Sequence, residues 1–144
     1  MKIDLETLRA FFHSSPFMVD LGVEPTAVQD GRVTTSLTIL PRFMQHTSQV
    51  HAGVMATLAD HTMGAAAQTM AAAGHMAITA ELKTSLLRPG RGERLVCEAH
   101  VIKPGRNLCF TEAEVFAESG GQRVLVLKAS ATRALAAPTT RGRR

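Results

Sequence analysis

In the stretch QVHAGVMATLADHTMGAAAQTM, residues 49 to 70, one carboxylate, Asp60, sits among small and apolar side chains. Between Arg42 and Lys83 the chain has no lysine or arginine, and its only acids are Asp60 and Glu81. On a helix, the neighbours three and four positions from Asp60 are Ala56, Thr57, Met63 and Gly64, none of which forms a salt bridge. Asp60 also lies about two turns into the helix, too far to cap its N-terminus. Two readings stay open. In one, Asp60 faces solvent, or bonds Thr57 and a backbone group, and is merely tolerated. In the other, a cleft without a cationic partner keeps it basic enough for catalysis.

Other chemistry-bearing residues are easier to place. His46, His51, His61 and His75 contain no His-x-x-x-His pair on one helix face, so the spacing does not describe a zinc site and no metal is expected. Cys97 and Cys109 lie twelve positions apart in strand-like segments and read as reduced, buried thiols. There is no Gly-x-Ser-x-Gly to support a serine hydrolase. Met55, Met63, Met70 and Met76 read as core filler or, alternatively, as the lining of a tolerant apolar pocket.

The elements that must position these residues follow from periodicity. Residues 4 to 12 put Leu5, Leu8, Phe11 and Phe12 on one face of a short helix, capped by Asp4 and broken by Pro16. A hairpin follows, with a strand near 20 to 28, a turn at Asp30-Gly31 and a second strand to about Leu40. In that second strand Val33, Thr35, Leu37 and Ile39 share the face expected to be buried. The long helix is predicted from Ala52 to Ala73, with Gly74 ending it. Four strands follow, near 76–87, 93–103, 107–118 and 123–134, separated by the turn-rich segments RPGRGE, KPGRN and ESGGQR. Long antiparallel strands can curve around one helix when its residues are small enough for close approach, as here. Five or six strands wrapped on a central helix describe the hotdog fold, an α+β architecture.

Composition bounds the rest. The 144 residues are expected to form a single domain over 1–136, followed by a frayed basic tail over 137–144. No apolar run reaches the roughly eighteen residues of a membrane span, and the N-terminus lacks a signal-peptide core, so no membrane partner and a cytoplasmic location are expected. With no tryptophan, no tyrosine and 4% aromatics, the chain is poorly supplied for stacking on nucleic-acid bases. A net charge of +4, partly owed to the tail, suits a phosphate-bearing small molecule.

HAGVMATLAD followed by LKTSLLRPGRGERLVCEAHVIKPGRN resembles the hotdog thioesterases of the phenylacetate-degradation (PaaI) type, over most of the chain from about Phe17 to Arg133. The resemblance implies an acyl-CoA thioesterase in which Asp60 is the catalytic carboxylate, as nucleophile or as base toward water. It implies that the backbone N–H of Ala52, just after His51 and before Gly53 in the motif, polarises the thioester carbonyl. The family pattern has glycine at the Ala52 position, so an extra methyl narrows the site here. Gln45 stands where an asparagine often helps polarise the carbonyl, and Thr79 matches the hydroxyl that positions water. His51 is implied to fix the loop by hydrogen bonding. Arg88, Arg91, Arg106 and Asn107, in the RPGRGE and KPGRN turns, are the best-placed cations and donors for the phosphates of coenzyme A. Coenzyme A enters as part of the substrate, and no cofactor is required. The alternatives are a hotdog hydratase or dehydratase, or a non-catalytic acyl-CoA-binding protein.

Geometry adds one constraint. Ala52 and Asp60 are eight residues apart, so one helix separates them by about 12 Å, too far for both to meet one acyl carbon. If both act, the helix start of one subunit faces the mid-helix of another. Self-association as a dimer or a dimer of dimers is therefore expected.

Overall fold

The computed structural model describes residues 2–137; all but the first residue of the expected basic tail lies outside them. The chain opens with α1 (Leu5–His13) and α2 (Pro16–Leu21), then the hairpin β1 (Glu24–Gln29) and β2 (Arg32–Thr38). A 3-10 turn at Pro41–Phe43 leads to α3 (Ala52–Gln68), and the antiparallel strands β3 (Met76–Leu86), β4 (Arg94–Lys103), β5 (Leu108–Ser119) and β6 (Gln122–Ala136) complete it. The six strands form one sheet in the order β1-β2-β4-β5-β6-β3. It curves over α3 as an α+β hotdog fold, with six strands rather than five.

Two boundaries differ from expectation. The segment before β1 is helical to Leu21, not extended from residue 20. Pro16 does end α1, but its fixed φ suits the first position of the next helix, and Gly22 at φ +76° then turns the chain out of it. The long helix stops at Gln68 instead of Ala73. Its last side chains bind outside the helix: Gln68 Nε2 donates to His75 O at 2.8 Å, and Gln68 Oε1 accepts from Ala77 N at 3.0 Å. Thr69 Oγ1 accepts from Gly31 N at 2.8 Å, tying the helix end to the β1–β2 turn.

The core lies between α3 and the concave face of the sheet. Leu58, Ala59, Met63 and Ala66 are fully buried there, against Leu37, Leu95, Val115 and Leu127. The expected inward face of β2 holds, since Val33, Thr35 and Leu37 are buried and Ile39 packs against the core. Thr35 and Thr62 are sealed in with it, each 0% exposed. Thr62 Oγ1 donates to Leu58 O at 2.6 Å, so in the Thr35–Thr62 hydroxyl pair, 2.7 Å apart, Thr35 is the donor.

The sheet has two edge strands, β1 and β3. The longer of them, β3, pairs with β6 on one side and with no strand on the other. A bulge at Ala80 shifts its register, so that Thr79 opposite Arg133, and Leu82 and Leu86 opposite Ala131 and Leu127, all face the helix side. Leu82 is nevertheless 39% exposed and Leu86 55%. Among the described residues, no helix is long and apolar enough to cross a membrane.

The buried hydroxyl pair gives a test of the core. Thr62→Val leaves the Thr35 hydroxyl buried without an acceptor and should cost about 1–3 kcal/mol. The Thr35→Val/Thr62→Val double variant should recover part of that loss, read from urea unfolding midpoints of all three proteins.

Candidate active site

Asp60 lies on the flank of α3 that faces the open edge, with its side chain 37% exposed. The expectation that it has no cationic partner is overturned: Arg133, reaching from β6, places Nη2 2.9 Å from Asp60 Oδ1. The same nitrogen also donates to the Asp60 backbone carbonyl. Thr79 Oγ1 donates to Asp60 Oδ1 at 2.8 Å and accepts from Arg133 Nη1. Asp60, Thr79 and Arg133 thus form one network, in which Arg133 is 3% exposed. Burial pushes the Arg133 guanidinium below its ordinary pKa, and the Asp60 carboxylate opposes that shift. The group stays a cation, as arginine does in proteins.

Sequence reasoning missed Arg133 because the partner comes from a strand about seventy residues away, not from the helix. Two signals pointed to it. In KASATRAL, Ala129, Ala131 and Arg133 alternate onto the inward face, so a charge stands in an apolar row. Gly64 sits inside α3, where glycine costs about 1 kcal/mol relative to alanine. A Cβ at Gly64 would stand 3.3 Å from Arg133 Nη1, so the missing methyl makes room for the guanidinium.

A second cluster gathers at the N-terminus of α3. His51 is the N-cap: its Nδ1 accepts from Gly53 N at 2.8 Å, and its own N–H donates to Phe43 O at 2.9 Å. His51 therefore fixes the loop and the helix start together. The cap uses the N–H of Gly53, while the N–H of Ala52, the first helical residue, has no acceptor among the described residues. Ala52 and Gln45 line a cleft of about 310 Å³ with Met55, Leu86, Arg88 and Gly90.

Within one chain the two clusters stay apart. Asp60 and Thr79 stand near the start of β3, and the Ala52 cleft stands at its far end beside Leu86. Thr79 and Leu86 are about 23 Å apart along an extended strand. The four candidate phosphate ligands also divide. Arg88 and Arg91 lie in the β3–β4 connection, and Arg88 Nη1 donates to Leu125 O at 2.9 Å. Arg106 and Asn107 lie in the β4–β5 turn, at the opposite end of the sheet.

The remaining candidates have structural surroundings. His61 packs edge-on against Phe12, with ring centroids 4.4 Å apart, and burial lowers its pKa despite the adjacent Asp60. Among the described residues, no three histidine, cysteine or acidic side chains converge as metal ligands. Both cysteines are buried, and burial pushes the Cys97 thiol up to about 12. Burial also raises Cys109, against the opposing charge of Arg133. Neutral thiols are poor nucleophiles. Neither cysteine should react with an aromatic disulfide reagent until denaturant is added. The sign of the Cys97 shift predicts a stability contribution fully present below pH 9.0 and lost as pH rises toward about 12. Denaturation midpoints measured above pH 9.0 in wild type and Cys97→Ala check this; the wild type should lose stability more steeply.

A family model described as the thioesterase superfamily matches residues 48–124, more than half of the chain. The segment contains α3, the whole open edge strand and both clusters apart from Gln45 and Arg133. No curated protein sequence matches the chain significantly. Among solved structures, a thioesterase family protein from Silicibacter pomeroyi is similar with a TM-score of 0.88 and 29% identity, over 91% of this chain and 96% of that one. A thioesterase from Haemophilus influenzae has a TM-score of 0.88 at 21% identity, covering 99% of this chain and 97% of its own. The PaaI protein of the E. coli phenylacetic acid degradation operon has a TM-score of 0.83 at 18% identity, over 93% and 94%. The last two identities speak for the fold alone. With the family model matching across the edge strand and the helix that carries Asp60, the chain belongs to the thioesterase superfamily.

Proposed function

We propose that this protein is an acyl-CoA thioesterase of the PaaI type whose active sites are each built from two subunits. One observation carries the proposal: a free backbone donor and an anchored carboxylate stand at opposite ends of one open edge strand. If β3 pairs antiparallel with β3 of a second copy about an axis between Leu82 and Lys83, Thr79 comes opposite Leu86 of the partner subunit. The Asp60 cluster of each chain then meets the Ala52 cleft of the other. The same pairing satisfies the open edge and covers Leu82, Leu86 and Leu87, which are 39%, 55% and 46% exposed in the single chain. Twofold symmetry makes two equivalent sites.

In such a site the thioester carbonyl oxygen points at the Ala52 N–H, aided by Gln45 and by the positive end of α3. Asp60 acts from the other subunit, attacking the carbonyl carbon or taking a proton from water, and Thr79 accepts a hydrogen bond from that water. The oxyanion that forms is held by the Ala52 N–H and collapses as the C–S bond breaks. With Asp60 as base, the proton taken from water passes to the departing thiolate and the acid is released; with Asp60 as nucleophile, water then hydrolyses the Asp60 anhydride, giving the acid and the proton for the thiolate. His51 and Gly53 contribute by holding the helix start so that the Ala52 N–H stays free. Arg88 and Arg91 of one chain, with Arg106 and Asn107 of the other, flank the site and are proposed to bind the phosphates of coenzyme A. Water is the only co-reactant the scheme uses.

The donor can be deleted cleanly. Ala52 is the first residue of α3, where proline is tolerated, and His51 at φ −59° and ψ 134° already has the conformation a residue before proline prefers. Ala52→Pro should fold normally and lose about 10²–10³-fold in kcat on an acyl-CoA panel, the cost of one oxyanion donor. Asp60→Asn should be inactive on the same panel. Unfolded, mixed in equal amounts and refolded together, the two inactive variants should recover about a quarter of wild-type activity, because half the dimers carry one intact site. Full turnover by Asp60→Asn would exclude this mechanism, and mixing without recovery would exclude the shared site.

A further inference from the structure

Arg133 takes an inward position on β6 that the strand otherwise fills with Ala129 and Ala131. A buried cation there is not explained by packing. Its Nε is buried with no hydrogen-bond partner among the described residues, a deficit that an apolar side chain would not have. Instead the guanidinium is aimed. Nη2 meets Asp60 Oδ1 and the Asp60 carbonyl, Nη1 meets the Thr79 hydroxyl, and Gly64 leaves the space it needs.

The donor count around Asp60 is uneven. Oδ1 accepts from the Thr79 hydroxyl and is ion-paired with Arg133 Nη2 at 2.9 Å, whereas Oδ2 has no hydrogen bond among the described residues. The two oxygens exchange by rotation only if that hydrogen bond and the ion pair break together. Thr79 is committed in the same way. Its single proton goes to Asp60 and one lone pair accepts from Arg133, so the hydroxyl has a lone pair for water but no proton for an oxyanion.

We propose that Arg133 is a positioning residue that locks Asp60 and Thr79 into one rigid unit and leaves Asp60 Oδ2 as the reacting oxygen. This rests on the reading of Asp60 as the catalytic carboxylate. Arg133 touches no substrate in this arrangement. It acts only through Asp60 and Thr79, so its loss lowers turnover by misplacing Oδ2 and leaves substrate affinity nearly unchanged.

The test uses the full chain and any acyl-CoA that the wild type hydrolyses. Arg133→Ala should lower kcat by about 10²-fold, the scale of a roughly 1 Å misplacement, with KM held within about threefold. Millimolar guanidinium added to Arg133→Ala should restore kcat by about tenfold or more, while equal ammonium should not, because the planar fork is what aims both bonds. The Asp60→Asn/Arg133→Ala double variant should be no worse than Asp60→Asn alone and should show no guanidinium rescue. Should Arg133→Ala fail to fold, Arg133→Lys retains the buried charge but not the fork and should show the same fall in kcat at constant KM. Wild-type kcat in either folded variant, a loss confined to KM, or a folded Arg133→Ala that guanidinium does not rescue overturns the proposal. Failure of the underlying reading is distinct, since it appears as wild-type turnover by Asp60→Asn with Arg133 intact.

Discussion

A sheet can close around a helix only where the helix is thin enough for strands to approach its backbone, and every other feature of this molecule depends on that contact. On α3 the residues pressed against the sheet include Ala59, Ala65, Ala66 and Ala67 alongside Leu58 and Met63, all buried. Small residues shorten the distance between layers, and the larger ones anchor the helix against β2, β4 and β5. The helix lies across the sheet from β2 to β3 and meets β3 where Thr79 donates to Asp60. Beyond β3 the sheet has no further strand, so the backbone edge of β3 is unpaired and Leu82 and Leu86 on its helix-facing side are exposed. The flank of α3 that carries Asp60 lies beside that edge.

Electrostatics at this flank works differently from a solvent-exposed ion pair. Arg133 is buried and Asp60 is partly exposed, so the cation bears most of the desolvation, as its downward pKa shift reflects. Breaking such a pair leaves an uncompensated buried charge, which is why one partner cannot be changed independently of the other. Thr79 joins the pair from the edge strand, carried to the helix side by the bulge at Ala80. Three elements thus converge on one carboxylate: helix α3 supplies it, strand β6 supplies the cation and strand β3 supplies the hydroxyl. The helix N-terminus supplies a different resource. There the His51 cap satisfies the Gly53 N–H and leaves that of Ala52 free.

Much of this was legible in the residues because it depends on local rules. Alternation in β2 marked Val33, Thr35 and Leu37 as the inward face, Asp4 marked the start of α1, and Gly- and Pro-rich turns separated the last four strands. The ordered HAG and LAD segments carried the resemblance that implied roles for Ala52, His51 and Asp60, and the rise of a helix alone set those segments about 12 Å apart. The end of α3 was less legible. The run to Ala73 has good helical composition, but Gln68 and Thr69 bind the turn before β3 and the β1–β2 hairpin, and no local signal reports such partners.

The sequence by itself determined the α+β order of elements, the small-residue helix and the isolated position of Asp60 between Arg42 and Lys83. Tertiary structure alone decided that Asp60 is not isolated in space. A salt bridge depends on distance through the fold, and only the closing of β6 and β3 against α3 brings Arg133 and Thr79 to that carboxylate. The same closure decided which strands stand at the edges, because strand order is set by pairing among all six strands and not by any one of them.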